Sequence, residues 1–442
     1  MSGKTLIVGG GVAGLSAAVY SLTRGSETLL VEKNRNLGGR ARTVYLPDLK
    51  VSVDNGQHVL AANYRATRKF LKQIGAVRTV DFRKRLQIAF GFAGNGTLNF
   101  RTWPLPSPLH FGLPLMLKKK ISGEDRKALM AFHRAFSAAN AEELRRMTVR
   151  EWLQKSGQTP FLLQLLWEPI TLSALNTSLS EASALLFYRV LREAFLAGGR
   201  RAGLGLPGKR LGDIFANPAE KFIRERGGTI RTAVSVRKLI FEKNRVKKVT
   251  LSSDEELWVD RLILALPPYA LARLLQNSGY TDADFIRRLK QFSYNPILTV
   301  NLWTEKPLPE PFPKALINSP FHWIFPHPYR NSTAAGYGYA LVSSVAAALC
   351  RLPSDQILAK IDREFRRFFG KSLRSDFQLN AYKIIKEKRA TPSQTPAFLK
   401  LRPGVQTAIS NLLLAGDWLD TGLPATIESA VISGKMAAEM AV

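Results

Sequence analysis

The order of apolar and polar positions divides the chain into strand and helix signals from its first residues onward. Thr5 to Val8 is a short apolar run rich in β-formers, Leu15 to Leu22 has helical character, and Thr28 to Val31 is a second strand ending at Glu32. Alternation up to Val53 predicts another strand, and Tyr64 to Ile74 reads as a helix stopped near Gly75. Residues 122–154 read as helices with exposed charges, whereas Phe161 to Leu166 and Ala182 to Phe195 are apolar on most faces. A hairpin is predicted from Val234 to Leu251, followed by strands at Leu257 to Val259 and Leu262 to Leu266. Leu298 to Trp303 and Gly338 to Ser344 read as strands of a second sheet, and 354–369 as a basic helix. Leu412 to Leu414 is a buried strand, and the residues after Thr421 start a helix with Pro424 near its first turn. Leu105 to Leu117 fits neither template: its prolines disfavour a regular helix, yet Leu109, Phe111, Leu113, Leu115 and Met116 are strongly apolar. Lys118-Lys119-Lys120 closes that run, which reads either as a proline-rich loop packed on the core or as a foot on an anionic bilayer.

Between the first strand and helix stands Gly9-Gly10-Gly11-Val12-Ala13-Gly14. Strand, glycine turn, helix, strand and acid together make the dinucleotide fingerprint in its required context. Gly9 permits the tight turn, Gly11 lets the backbone approach a pyrophosphate, and Gly14 lets the helix pack close to the strand. Val12 and Ala13 open the helix whose free N–H groups and positive dipole end face the phosphate. Glu32, 23 positions after Gly9, can accept a hydrogen bond from a ribose hydroxyl. The polar cluster Asp54-Asn55-Gly56-Gln57-His58 interrupts an apolar stretch and must be satisfied, either as a turn or by a ring with many acceptors.

Composition narrows the setting. A length of 442 residues exceeds one compact core, so two intertwined domains are expected. The one cysteine, Cys350, excludes an intramolecular disulfide and fits a reducing compartment; the five histidines show no zinc-ligand spacing. Lys and Arg total 64 against 34 acids, a net charge of +30 that attracts polyanions. No module interleaving aromatics with basic residues is present, so nucleic acid is not expected as a partner and an anionic membrane surface is. No uncharged apolar run reaches the roughly 20 residues of a spanning helix once the glycine-broken start is set aside.

After Glu32 and Lys33, the string Leu37-Gly38-Gly39-Arg40-Ala41 resembles the flavin-binding start of the amine oxidase and phytoene desaturase superfamily, where the glycine pair and arginine extend the diphosphate cradle of FAD. Asp54 to His58, with Tyr64 and Phe70-Leu71 to Ile74-Gly75-Ala76, resembles the squalene-associated FAD-dependent desaturases, the hydroxysqualene dehydroxylases of bacterial hopanoid synthesis. The likeness continues through Trp103 to His110, Trp167-Glu168-Pro169-Ile170, Ala174 to Thr177, Ala182-Ser183-Ala184, Val190 to Glu193, Gly198 to Ala202 and Glu387 to Thr391. Departures are Ser178 where the pattern has Pro, Glu193 where it has Asp, and Leu419 where it has Thr.

The resemblance implies an α/β fold with a discontinuous Rossmann-like FAD-binding domain and a mixed-sheet plus helical substrate domain. Residues 1–75, 206–275 and 401–442 are expected to form the FAD-binding domain, 76–205 a mainly helical, proline-rich segment facing substrate or membrane, and 276–400 the substrate domain. It also implies that the backbone of Val236 meets the adenine and that Gly56, Gln57 and His58 reach the flavin. Gly416 and Asp417 would meet a ribityl or phosphate-linked oxygen, and Leu423, Pro424, Ala425, Thr426 and Ile427 would set a helix N-terminus against the reduced ring. The two chain ends must then meet at one site. The implied reaction removes the hydroxyl of hydroxysqualene, an isoprenoid lipid, with a hydride from reduced flavin, and needs an external reductant that no residue names. His58, Gln57 and Asp54 are the candidates for the polar end of the active site, with Tyr64 or Trp167 as aromatics near a developing cation. The expected location is the cytoplasm, peripheral on the inner face of the membrane. A carotenoid-type desaturase or amine oxidase on the same fold, and a non-catalytic isoprenoid-lipid escort, are the alternatives.

Overall fold

Fully apolar four-residue strands need cover on both faces, and a parallel sheet between helices provides it. Thr5–Val8 lies at the centre of such a sheet, in the order Thr229–Arg231, Thr28–Val31, Thr5–Val8, Arg261–Leu264, Leu412–Leu414, with every pairing parallel. The computed structural model describes residues 3–94, 96–196, 202–308, 313–327, 336–370 and 379–441. The Gly198 to Arg201 string of the family resemblance lies outside them.

The chain ends meet across this sheet. Helix Val12–Thr23 packs along helix Ile427–Met440, where a methyl on Gly434 would overlap the Ala13 carbonyl and Ser16 Oγ donates to the Val431 carbonyl at 2.8 Å. Glu428, buried at the start of the second helix, accepts from Ala66 N and Thr67 N at 2.8 Å and from Thr67 Oγ1 at 2.6 Å. The two N–H groups are free first-turn donors of helix Arg65–Gln73, which has no side-chain cap of its own. One carboxylate therefore fixes an N-terminal helix to the C-terminal one.

A seven-stranded mixed sheet forms the second layer, in the order Leu379–Pro392, Tyr294–Thr304, Tyr337–Ser343, Trp323–Pro326, Lys314–Leu316, Gln87–Phe92, Gly96–Arg101. Its two long strands, Tyr294–Thr304 and Leu379–Pro392, pair antiparallel. One face packs Leu298, Val300 and Leu302 against Ile357, Ile361 and Phe365 of the amphipathic helix Ser354–Phe369. Hairpin Thr43–Leu46 and Val51–Asp54 covers part of the other face through Val53 and Trp303.

Two local features differ from the sequence pattern. Within the segment 76–205, expected to be mainly helical, strands Gln87–Phe92 and Gly96–Arg101 extend the large sheet before the helices that follow from Leu109. The proline-rich run does form a helix, Leu109–Met116, with Pro114 inside it. Pro114 cannot donate to the His110 carbonyl one turn back, and that oxygen instead accepts from Trp103 N at 2.9 Å. Capping boxes start the next helices at Ser122 with Asp125 and at Thr148 with Glu151.

Candidate cofactor and active site

The glycine turn separates two kinds of glycine. A methyl on Gly14 would overlap the Gly9 carbonyl, so helix packing alone demands glycine there. A methyl on Gly11 would meet only Gly39 Cα, at 4.0 Å, and Gly11 has an ordinary φ of −74°. Among the described residues nothing requires glycine at that position, whereas a ligand lying close to the turn would. Gly11 caps helix Val12–Thr23 without any side-chain bond, so the first-turn N–H groups carry no side-chain acceptor. The second glycine pair folds back onto this turn: Gly38 N donates to the Gly10 carbonyl at 2.8 Å, and a methyl on Gly39 would come within 3.1 Å of Gly11 Cα. Buried Ala41 closes the turn with a bond to the Gly38 carbonyl.

Glu32 stiffens the same loop. One carboxylate oxygen accepts from Gly10 N at 2.7 Å, and the other from Asn34 N at 2.8 Å and Asn34 Nδ2 at 2.7 Å. The remaining lone pairs of a carboxylate still suit a ribose hydroxyl. Lys33 beside it is exposed. Ala233 N and Val234 N bond the Asn34 and Glu32 carbonyls at 3.0 Å, bringing the start of strand Val236–Glu242 to the acid that ends Thr28–Val31.

At the far end of the cradle, Arg40 joins three segments. Its guanidinium donates to Asp417 Oδ1 at 2.6 Å and to the Ala390 carbonyl at 3.0 Å. Asp417 is buried and follows Gly416, whose N–H donates to Ser433 Oγ at 2.9 Å. Helix Ile427–Met440 starts later than Pro424: Thr426 is the N-cap and accepts from Ser429 N. Pro424 and Ala425 are buried and Leu423 half-buried before it, and Ala425 N is held by Gln394 Oε1 at 2.8 Å. The glycine approaches, uncapped helix start and arginine–aspartate pair match the diphosphate and ribityl demands of FAD.

The three residues proposed for the polar end do not act as one group. Asp54 Oδ1 accepts from Thr43 Oγ1 and Leu211 N, both at 2.9 Å, tying the hairpin to the next helix start. It follows Val53, which faces the large sheet, so its carboxylate leaves the other side of the hairpin. Burial pushes its pKa up to about 6. Gln57 is half-buried. His58 donates from Nδ1 to the Gly56 carbonyl at 2.9 Å, and burial lowers its pKa, so the ring is neutral with Nε2 as an acceptor. A neutral histidine is not a proton source near neutral pH. Trp167 belongs to the core: its ring lies 4.3 Å from Phe132 and its Nε1 donates to Gln158 Oε1 at 2.9 Å. Tyr64 hydrogen-bonds Thr426, and burial pushes its pKa up to about 12.

Other residues assemble the site across large sequence distances. Asn176, in the left-handed region at φ 44°, donates to the Asn295 carbonyl and Thr391 Oγ1 and accepts from Val345 N. Asn295 Nδ2 returns a bond to the Asn176 carbonyl at 2.7 Å. Gln394 joins Leu175, Thr177 and Ala425. The Ala-Leu-Asn-Thr string flagged Asn176; nothing in the sequence marked Gln394.

The profile of the family described as flavin-containing amine oxidoreductases matches residues 12–441. The chain belongs to that family. It is an FAD-dependent oxidoreductase. It is similar to the hydroxysqualene dehydroxylase of Zymomonas mobilis, 27% identical over 99% of this chain and 98% of that one. It is also similar to that of Sinorhizobium fredii, 28% identical over 98% and 97%. Among solved structures, an oxidoreductase from Methanosarcina mazei shares the fold at a TM-score of 0.76 and 17% identity, covering 99% of this chain and 100% of that one.

Proposed function

We propose that the protein reductively removes the hydroxyl group of hydroxysqualene to give squalene, a step of bacterial hopanoid synthesis. The observation that supports this most is the end-to-end similarity to hydroxysqualene dehydroxylases, joined to an intact cradle at Gly11, Gly39, Arg40 and Asp417. When bound and reduced, FAD supplies a hydride. In the overall balance the allylic C–O bond would be replaced by C–H: oxidation of the reduced cofactor would release a hydride, which goes to carbon, and a proton, with which the hydroxyl leaves as water. Residues from both termini would hold the cofactor, and His58, whose Nδ1 is bonded to the Gly56 carbonyl, would offer Nε2 as an acceptor at the reacting end. Excluding water keeps an allylic cation from being trapped. The test is anaerobic incubation of FAD-loaded protein with hydroxysqualene and a chemical reductant, followed by product identification. Squalene is expected. An unchanged alcohol with the flavin fully loaded refutes the reading, and an added double bond on a polyene substrate instead supports a desaturase.

We further propose a peripheral seat on an anionic bilayer, on the cytoplasmic side. Trp103, Leu109 and Leu117 are 42%, 53% and 62% exposed, beside Lys118, Lys119 and Lys120. No helix among the described residues is long and apolar enough to cross a membrane. The net charge of +30 adds attraction to anionic headgroups. Cosedimentation with anionic vesicles should weaken with salt, and Leu117→Asp should weaken it at constant salt. Equal binding to neutral vesicles contradicts the electrostatic part.

A further inference from the structure

The proposed reaction consumes two electrons per turnover, so the cofactor needs a donor from outside the chain. The sequence carries one strand–glycine–helix fingerprint, and FAD takes it, which leaves no second cradle of that kind for a nicotinamide donor. Electrons from a carrier protein would enter where the surface approaches the cofactor cradle, and a β-bulge marks such a place. In the pairing of Tyr294–Thr304 with Leu379–Pro392, Asn295 faces Thr391 and Ile297 faces Glu387, so Lys388, Arg389 and Ala390 stand opposite Pro296 alone. Proline has no N–H to continue the ladder, and bulges re-aim side chains beside active sites. Here the Ala390 carbonyl accepts from Arg40 of the cradle at 3.0 Å, while the guanidinium of the preceding residue, Arg389, lies 4.2 Å from the Tyr269 ring centre. Tyr269 is 39% exposed, and its ring meets Tyr294 edge-on at 5.8 Å. Arg40 and Asp417 in turn lie close enough to act electrostatically on the Tyr294 phenol. Two rings therefore lead from solvent to the arginine–aspartate pair.

The charges at this place are uncommitted. Arg273 follows Tyr269 by one turn of helix Pro268–Asn277, and Arg273, Lys388 and Arg389 are all exposed. Among the described residues none of the three pairs with an acid, whereas Arg231, Arg237, Lys247 and Lys248 of other surface strands do. Unpaired cations around an exposed aromatic, over a short path to the cradle, fit an acidic partner that docks by charge.

We propose that Tyr269, Arg273 and Arg389 form the docking face for an acidic electron-carrier protein that reduces the bound flavin. The inference rests on the reductive function proposed above. Two one-electron transfers from the reduced carrier, with two protons from solvent, convert FAD to FADH2 and leave two equivalents of carrier oxidised. Arg273 and Arg389 steer the encounter and take no part in the chemistry on carbon.

The test mixes oxidised, FAD-loaded protein anaerobically with a reduced acidic [2Fe–2S] ferredoxin and follows bleaching of the flavin. Wild type should be reduced at a rate that falls steeply with salt. Arg273→Glu with Arg389→Glu should be reduced about tenfold or more slowly at low salt, with FAD content and reduction by dithionite unchanged. Arg273→Gln with Arg389→Gln, a milder change, should fall between that pair and wild type, and Arg273→Lys with Arg389→Lys should keep the wild-type rate. Lys118→Glu with Lys119→Glu changes the net charge equally at the proposed membrane foot and should slow reduction far less. Equal slowing by both glutamate pairs, or slowing by neither, overturns the inference while the proposed function stands. A wild type that dithionite reduces and ferredoxin does not also overturns it. Loaded protein that makes no squalene with a chemical reductant overturns the function and this inference together.

Discussion

Replacing Gly11 by alanine separates the demands of the fold from those of the ligand. The added methyl meets only Gly39 Cα at 4.0 Å, and φ at −74° is ordinary for alanine. Loss of a glycine N-cap costs some helix stability, and a less flexible unfolded chain returns about 0.4–1 kcal/mol. The apoprotein should therefore change by no more than about 0.5–1 kcal/mol, a shift of a few degrees at most in Tm. The diphosphate of FAD, lying against this turn as the glycine fingerprint implies, would meet the methyl directly. Overpacking of about 1–3 kcal/mol corresponds to roughly 5- to 150-fold weaker binding. Gly14→Ala is the contrast, because its methyl overlaps the Gly9 carbonyl and destabilises the apoprotein itself. The assay is thermal denaturation of each apoprotein, with FAD titration followed by flavin fluorescence. A Gly11→Ala apoprotein that melts as early as Gly14→Ala, or one that binds FAD like wild type, refutes the assignment of Gly11 to the ligand.

Other residues give further outcomes. Asp54 has a folded pKa of about 6 against an ordinary 3.8, so the folded state binds the proton more tightly and stability falls as pH rises between those values, by up to roughly 3 kcal/mol. Asp54→Asn should thus exceed wild type in stability above about pH 7 and lose the advantage near pH 4, as urea denaturation at several pH values would measure. Glu428→Ala should cost about 2–3 kcal/mol in denaturant unfolding, since three donors of helix Arg65–Gln73 lose their acceptor. Trp167→Phe should lower Tm and leave turnover per bound flavin unchanged, because the indole lies in the aromatic core.

The sequence made the cofactor half legible because its devices are local. Thr5–Val8, Gly11, Val12–Thr23 and Thr28–Val31 lie within one βαβ unit, and strand, turn and helix appear in that order in the structure. Leu412–Leu414 with Gly416 and Asp417 showed the other end, and the 2.6 Å bond from Arg40 to Asp417 joins the two. The substrate half was less legible because its organising contacts are long-range side-chain bonds. Asn176 bonds Asn295, and Gln394 bonds Leu175 and Ala425, across distances that no periodicity records. The helix at Leu109–Met116 was hidden by Pro114, whose missing donor is offset by the Trp103 bond to the freed carbonyl. Arg389 stands in a string that the family resemblance named, but its place over Tyr269 follows from the bulge opposite Pro296, which no local pattern records.

The most direct test of the account is a single turnover under anaerobic conditions, with stoichiometrically reduced protein mixed with hydroxysqualene and the flavin spectrum recorded. Return of the oxidised flavin spectrum, with one squalene formed per flavin and no return when squalene itself is added, is the predicted result. A flavin that stays reduced in the presence of the alcohol, or an oxidised flavin that hydroxysqualene or a polyene bleaches, would contradict it.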